Sequence, residues 1–298
     1  MATTGGFGRW RRSENVRGWL MVSPPALYAV LLLAVPIAAI VFLSFITRDP
    51  EHVASYIYTP TLDNYRQAFA EPQYPVLLLR SLIISIAVTA TTVITAYPIA
   101  YFIAFKVPAR QKSMWLFLIT IPFWTSYLIR VFLWRTILAY NGVVNSALIW
   151  LGVISEPLPW INYNLNAVVL VLAHAYAPFA ILPIFVALEK IDRSLMEAGR
   201  DLGESRLMTF IRVTLPLSVP GVVGAVLIVF IPTIGDYVTP KLVGGTDGQM
   251  ISNSIQNQFL RGNNAPLGAA LSVLSMLLVG TIAVIFVWAN RRYLRVRQ

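Results

Sequence analysis

The chain has 298 residues, of which 57% are hydrophobic and only 12% charged, and its formal net charge is +10. Ordinary soluble domains carry about 25% charged residues, so this composition excludes a water-soluble globular enzyme. The absence of cysteine excludes disulfides, thiolate metal sites and a cysteine nucleophile.

Arg9, Arg11, Arg12 and Arg17 precede the first apolar block. This block is too long for the hydrophobic region of a secretory signal and no cleavage site follows it, so an uncleaved first helix is expected. A helix needs about 20 apolar residues to cross a hydrocarbon core about 30 Å thick. Six blocks qualify: 20–46, 82–105, 114–140, 165–188, 217–238 and 267–289. Arg130 and Arg135 interrupt the third. The expected fold is an all-α integral membrane bundle of six spans over 20–290, between a short N-terminal segment 1–19 and a basic tail 291–298.

The charges are sorted by loop. Sixteen of the 23 basic residues lie at the two ends or in two loops, one holding Lys106, Arg110 and Lys112, the other Lys190, Arg193, Arg200, Arg206 and Arg212. The loops between them hold only Arg48, Arg66, Arg80, Lys241 and Arg261. Cytoplasmic loops carry the excess of Lys and Arg, so both termini are expected in the cytoplasm and the loops 47–81 and 239–266 outside. Basic residues placed this way suit anionic lipid headgroups and not nucleic acid. His52 and His174 stand far apart in sequence, and neither has the company of three or four ligands that a metal site needs.

Within the spans, Thr92, Ala96, Ala100 and Ala104 recur every fourth residue, a small stripe that lets helix backbones approach closely. Pro36, Pro98, Pro122, Pro178, Pro183 and Pro232 fall inside spans, where each removes a backbone hydrogen bond. They read either as elements of a moving pathway or as plain kinks.

The loop 189–216 is too charged for lipid and too patterned for a simple connector. Ser194-Leu195-Met196-Glu197 has the form of a capping box. Leu195, Ala198, Gly199 and Leu202 then share one apolar or small face, and Gly203 supplies a C-cap. A short helix suited to a partner's groove is expected here; the alternative is a solvated amphipathic linker.

Glu197-Ala198-Gly199, Gly203 and Leu215-Pro216 resemble the EAA loop of binding-protein-dependent ABC importer permeases. That pattern reads E-A-A, three residues, glycine, nine residues, isoleucine, one residue, leucine-proline. The spacing is kept in full; the departures are Gly199 for the second alanine and Val213 for isoleucine. Further segments resemble the spermidine/putrescine branch of that family: Pro122-Phe123-Trp124-Thr125 with Ile129-Arg130, Asn141-Gly142, Gly235 to Pro240, Asn253-Ser254-Ile255, and Pro266 to Ala270. The resemblance implies a type I importer permease in a bacterial inner membrane, importing polyamines or a related cationic or amino-acid-like solute. It implies that Glu197, Ala198, Gly199, Asp201, Gly203, Leu215 and Pro216 dock on an ATPase. The implied partners are a second, related permease, two ATP-binding subunits and an extracytoplasmic binding protein. No P-loop sequence occurs, so ATP and magnesium are expected on the separate ATPase, with no cofactor in this chain and no enzymatic activity.

Candidates for the substrate path are Asp236, Tyr237, Trp124 and Tyr127. Asp236 follows Gly235 at the end of a span broken by Pro232, where an unpaired carboxylate is costly. It either attracts a cationic substrate, with Tyr237 offering a cation–π face, or forms an ion pair with Arg130 or Arg135. Two other functional classes remain: a secondary transporter driven by an ion gradient, for which Asp236 is the clear intramembrane carboxylate, and a non-transporting scaffold.

Overall fold

The computed structural model describes residues 6–49, 55–159, 163–262 and 264–294. His52, the start of the 1–19 segment and the end of the 291–298 tail lie outside the described residues. Helix α1 (Gly6–Ser44) leads through strands β1 (Thr47–Arg48) and β2 (Tyr56–Ile57) to α2 (Asp63–Ala70) and α3 (Gln73–Phe105). Next come α4 (Ala109–Thr120), a 3-10 turn (Ile121–Trp124), α5 (Tyr127–Ile137), α6 (Val143–Trp150) and α7 (Leu165–Glu189). Then follow α8 (Arg193–Asp201), α9 (Arg206–Thr209), a π turn (Phe210–Thr214), α10 (Leu215–Gly235), α11 (Val238–Val243), α12 (Ile251–Leu260), α13 (Ala265–Ala289) and α14 (Arg291–Leu294).

Among the described residues, five helices are long and apolar enough to cross a membrane, and six if one bent pair counts as a single span. The fourth and sixth expected spans match α7 and α13 closely. The apolar part of the first span begins at Gly18, close to the expected Leu20, and the helix that carries it extends back to Gly6. The second begins nine residues earlier than expected, at Gln73. Its 33 residues reach about 50 Å at 1.5 Å per residue, so α3 overshoots the hydrocarbon layer.

The third expected span, 114–140, is not one continuous helix. Pro122 sits in the 3-10 turn, Thr125 is extended, and α4 with its turn meets α5 at 87°. Neither half can cross alone: the 12 residues of α4 reach only about 18 Å. Proline at the end of α4 breaks the hydrogen-bond ladder, and Arg130 and Arg135 then lie on α5, bent sharply away from α4.

The core is built where α3, α7 and α10 pack together. Ile84, Val88, Ala96, Ala100 and Ile103 of α3 meet Val168, Leu172, Ile184 and Leu188 of α7 and Ala225 and Val229 of α10. The whole stripe Thr92, Ala96, Ala100 and Ala104 is buried, as its small side chains predict. Gly221 marks the closest approach of α10 to α7: a methyl there would lie 2.4 Å from the Ala187 Cβ and 2.5 Å from the Pro183 carbonyl oxygen. Only a residue without a side chain fits.

At the end of the bundle opposite α8, short elements seal the spans. Asn64 donates to the carbonyls of Ser44 (2.9 Å) and Ile46 (2.7 Å), and β1 pairs antiparallel with β2. The Ile251 N–H donates to the Ser81 hydroxyl at 2.7 Å, and Arg80 donates to the Asp247 carbonyl at 3.0 Å. Helix α1 is different. It touches α13, yet none of its apolar window is buried by the rest of the chain.

Candidate functional site

Two regions gather the residues singled out by sequence, one at each end of the bundle. At the basic end, α8 is held firmly at both termini. Its N-cap is Asp192, not Ser194: the Asp192 carboxylate accepts the Ser194 backbone N–H at 3.0 Å. The expected Ser194–Glu197 capping box does not form, because the helix already starts at Arg193 and Glu197 falls in its second turn. The same N–H holds the exposed Asp192 carboxyl below its usual range, by favouring the charged form.

The C-terminus closes as a Schellman motif. Gly203 has φ +85°; its N–H donates to the Arg200 carbonyl at 2.9 Å and the Glu204 N–H donates to the Gly199 carbonyl at 3.1 Å. Left-handed backbone favours glycine, so the expected C-cap stands. The expected common face does not stand as drawn. Gly199 is buried against Thr209, while Leu195, Glu197, Ala198, Asp201 and Leu202 are exposed, Leu202 at 86%. Ser205 caps α9 and Arg212 pairs with Glu204 at 2.8 Å, bracing the loop from behind. Pro216 follows the π turn Phe210–Thr214 inside a helix that runs unbroken from Arg206 to Gly235, so the hydrogen-bond ladder widens just before the residue that lacks an N–H. The product is a short rigid helix presenting two carboxylates and apolar side chains outward.

At the other end, Tyr127 and Asp236 meet although 109 positions separate them. The Tyr127 hydroxyl bonds the Asp236 carboxylate and lies 2.6 Å from the Thr239 hydroxyl. The other carboxylate oxygen accepts the backbone N–H groups of Val238 (2.8 Å) and Thr239 (3.3 Å), the first donors of α11. Ser252 donates to the Asp236 carbonyl at 2.7 Å and Asn253 to the Tyr237 carbonyl at 2.8 Å. Asp236 therefore joins α5, α10, α11 and α12. No ion pair with Arg130 or Arg135 forms, which corrects that alternative. Arg130 lies over the Phe123 ring at 5.8 Å, and the Arg135 Nε donates to the Tyr163 hydroxyl at 3.0 Å.

Tyr127 also lines an open cleft of about 520 Å³ with Phe123, Trp124, Arg130, Tyr176 and Phe179. Trp124 stands on it, 81% exposed; the Phe123 and Phe179 rings pack edge to face with centroids 4.4 Å apart. Tyr237 does not line this cleft. Sequence reasoning missed Tyr176 and Phe179, whose signal was Pro178 between them in a span facing Pro122. His174, beside the cleft, accepts from the Trp134 indole at 3.1 Å.

Residues 96–295 match the family model for the binding-protein-dependent transport system inner membrane component. The chain belongs to this family. It is thus a permease subunit of an ABC uptake system, a transport component and not a catalytic one, and the ion-driven carrier and scaffold readings fall away. It is 36% identical to the spermidine/putrescine transport system permease protein PotB of Escherichia coli over 277 residues, covering 93% of this chain and 96% of that one. The Haemophilus influenzae protein of the same name is 33% identical, covering 89% and 91%, and the Escherichia coli inner membrane ABC transporter permease protein YdcU is 31% identical, covering 74% and 72%. In fold it is similar to a bacterial ABC transporter that imports the acidic polysaccharide alginate, with TM-score 0.71, 18% identity, and 97% of this chain and 99% of that one covered. It is similar also to the MetNI methionine ABC transporter in inward-facing form, with TM-score 0.55, 18% identity, and 76% and 99% covered. The all-α, type I importer architecture is the one expected.

Proposed function

We propose that this permease imports spermidine, putrescine or a related cationic or amino-acid-like solute, delivered by an extracytoplasmic binding protein. A second, related permease completes the membrane pathway, and two ATPase subunits bind ATP and magnesium. The end carrying α8 faces the cytoplasm, and α8 docks on an ATPase through Glu197, Ala198, Asp201 and the exposed apolar side chains. Gly199, Gly203, Leu215 and Pro216 shape the docking element from behind. The observation that carries the substrate class is the 36% identity along 93% of the chain to spermidine/putrescine permeases.

The aromatic cleft supports the same class. Trp124, Tyr127 and Tyr176 offer ring faces to an ammonium group. Arg130 sets one wall of the cleft positive, so the ammonium binds toward the rings and away from it. Asp236, with its carboxylate oxygens engaged, acts here by holding Tyr127 and the start of α11 in place.

Proteoliposomes containing the complete complex test this reading. Labelled spermidine should accumulate when binding protein and ATP are supplied, and should continue to do so after ion gradients are collapsed. Accumulation that needs a gradient and not ATP would overturn the transport mechanism. Uptake of another solute, with none of spermidine or putrescine, would overturn the substrate class.

A further inference from the structure

Pro108 has no backbone N–H, so the helix α3 cannot close its usual bond from residue 108 to the Ala104 carbonyl. That carbonyl is buried with its residue, and two cations from elsewhere take it. The Lys112 ammonium, on the first turn of α4, donates to it at 2.8 Å; Arg193, the first residue of α8, donates to it at 3.3 Å.

Lys112 does more. Its ammonium also bonds both carboxylate oxygens of Glu189, at 2.8 and 2.7 Å. Lysine has three N–H donors and no acceptor, and here all of them are directed to partners in a residue only 9% exposed. Glu189 is the last residue of α7, where the helix dipole disfavours a carboxylate; the lysine compensates. One ammonium thus ties the last turn of α3, the first turn of α4 and the last residue of α7. Glu189 is three residues before the Asp192 cap of α8, and Arg193 shares the same carbonyl.

We propose that Lys112 is a positioning residue that carries movement of α8 into the ends of α3, α4 and α7. This rests on the reading of α8 as the ATPase-docking helix. Without the tie, α8 keeps only the Arg193 bond to the Ala104 carbonyl at 3.3 Å, and the 190–192 connection absorbs most of the displacement. With it, a displacement of α8 pulls directly on two core helices and on the broken α4–α5 span, a contiguous mechanical path from docking site to cleft.

The test uses the complete complex in proteoliposomes, with binding protein and labelled spermidine, and reads ATP hydrolysis and uptake separately. Lys112→Met keeps the length of the side chain and removes its donors. It should retain the ATPase and hydrolyse ATP near the native rate, while uptake per ATP falls at least about fivefold, the low end of coupling between linked sites. Glu189→Gln should show a smaller fall, because the Ala104 link remains, and Lys112→Arg should restore most of the ratio. A native ratio in Lys112→Met would overturn the proposal. If Lys112→Met fails to assemble, Glu189→Gln decides: a reduced ratio supports the coupling role, and a native ratio makes Lys112 a structural residue only. A failure of the docking reading looks different, with Glu197→Lys retaining both ATPase and uptake.

Discussion

Asp236 stands where α10 stops and α11 begins, and its carboxylate replaces the backbone partners that the break removes. Three donors converge on it, two of them backbone N–H groups of a helix start. Leaving such a buried donor unpaired costs roughly 1–3 kcal/mol, so Asp236→Ala should destabilise the solubilised complex by at least that order, read as a lower thermal unfolding midpoint. Asp236→Asn should lose less, since its amide oxygen still accepts from Val238. Tyr127→Phe removes the bonds to Asp236 and Thr239, each about 0.5–1.5 kcal/mol. Because no ion pair exists, neutralising Arg130 in the Asp236→Ala background should rescue nothing; a rescue would revive the ion pair. Gly199 gives the opposite case. An added methyl would sit 3.4 Å from the Thr209 Cγ2, ordinary contact, in a helix where glycine costs roughly 0.5–1 kcal/mol relative to alanine. Gly199→Ala should therefore raise stability by up to about 1 kcal/mol and leave uptake intact, as read by thermal unfolding and transport.

At the scale of elements, α8 depends on its two caps. Gly203→Pro replaces a φ of +85° with proline's fixed negative value and deletes the bond to Arg200, a strain of roughly 1–3 kcal/mol. It should reduce co-purification of the ATPase while the spans stay inserted. The Asp192 cap carries a pH signature. Its folded carboxyl titrates below the ordinary value of 3.8, so its contribution is fully present well above that pH. It is lost as pH falls through 3.8 toward the lower native value. The difference in amide protection of α8 between the native chain and Asp192→Asn should be flat near neutrality and change in this acid window. No change there would remove the cap from the account. These elements also show what the sequence makes legible. Spans α7 and α13 are apolar on every side, so their limits follow from hydropathy alone. The helix α8 was placed correctly, but two cap-forming residues, Asp192 and Ser194, compete for its start. Ile191 is buried and turned by its bond to Leu188, which leaves Asp192 to begin the helix. The bend at Pro122 was hidden because apolar residues continue through it. The cleft was hidden because it joins Tyr127, Tyr176 and Phe179 only after the bundle packs.

For the whole molecule, the bent α4–α5 pair decides the topology. If it crosses the membrane, the chain has six spans and both ends share one side. If it turns back, the chain has five crossings and its ends lie on opposite sides. The basic residues argue for six, because Lys106, Arg110 and Lys112 before the pair and Lys190 to Arg212 after α7 must then both face the cytoplasm, as the positive-inside rule requires. A turn-back would put α7 on the wrong parity and place five basic residues of the docking loop outside. The chain has no cysteine, so single introduced cysteines read the topology against a clean background. Arg110→Cys and Arg200→Cys should react with a membrane-impermeant maleimide only after the cells are opened, whereas Ser155→Cys, exposed in the segment after α6, should react in intact cells. Protection of position 155 with labelling of position 200 from outside would establish five crossings. It would also separate α8 from a cytoplasmic ATPase, and the docking assignment would fall with the topology.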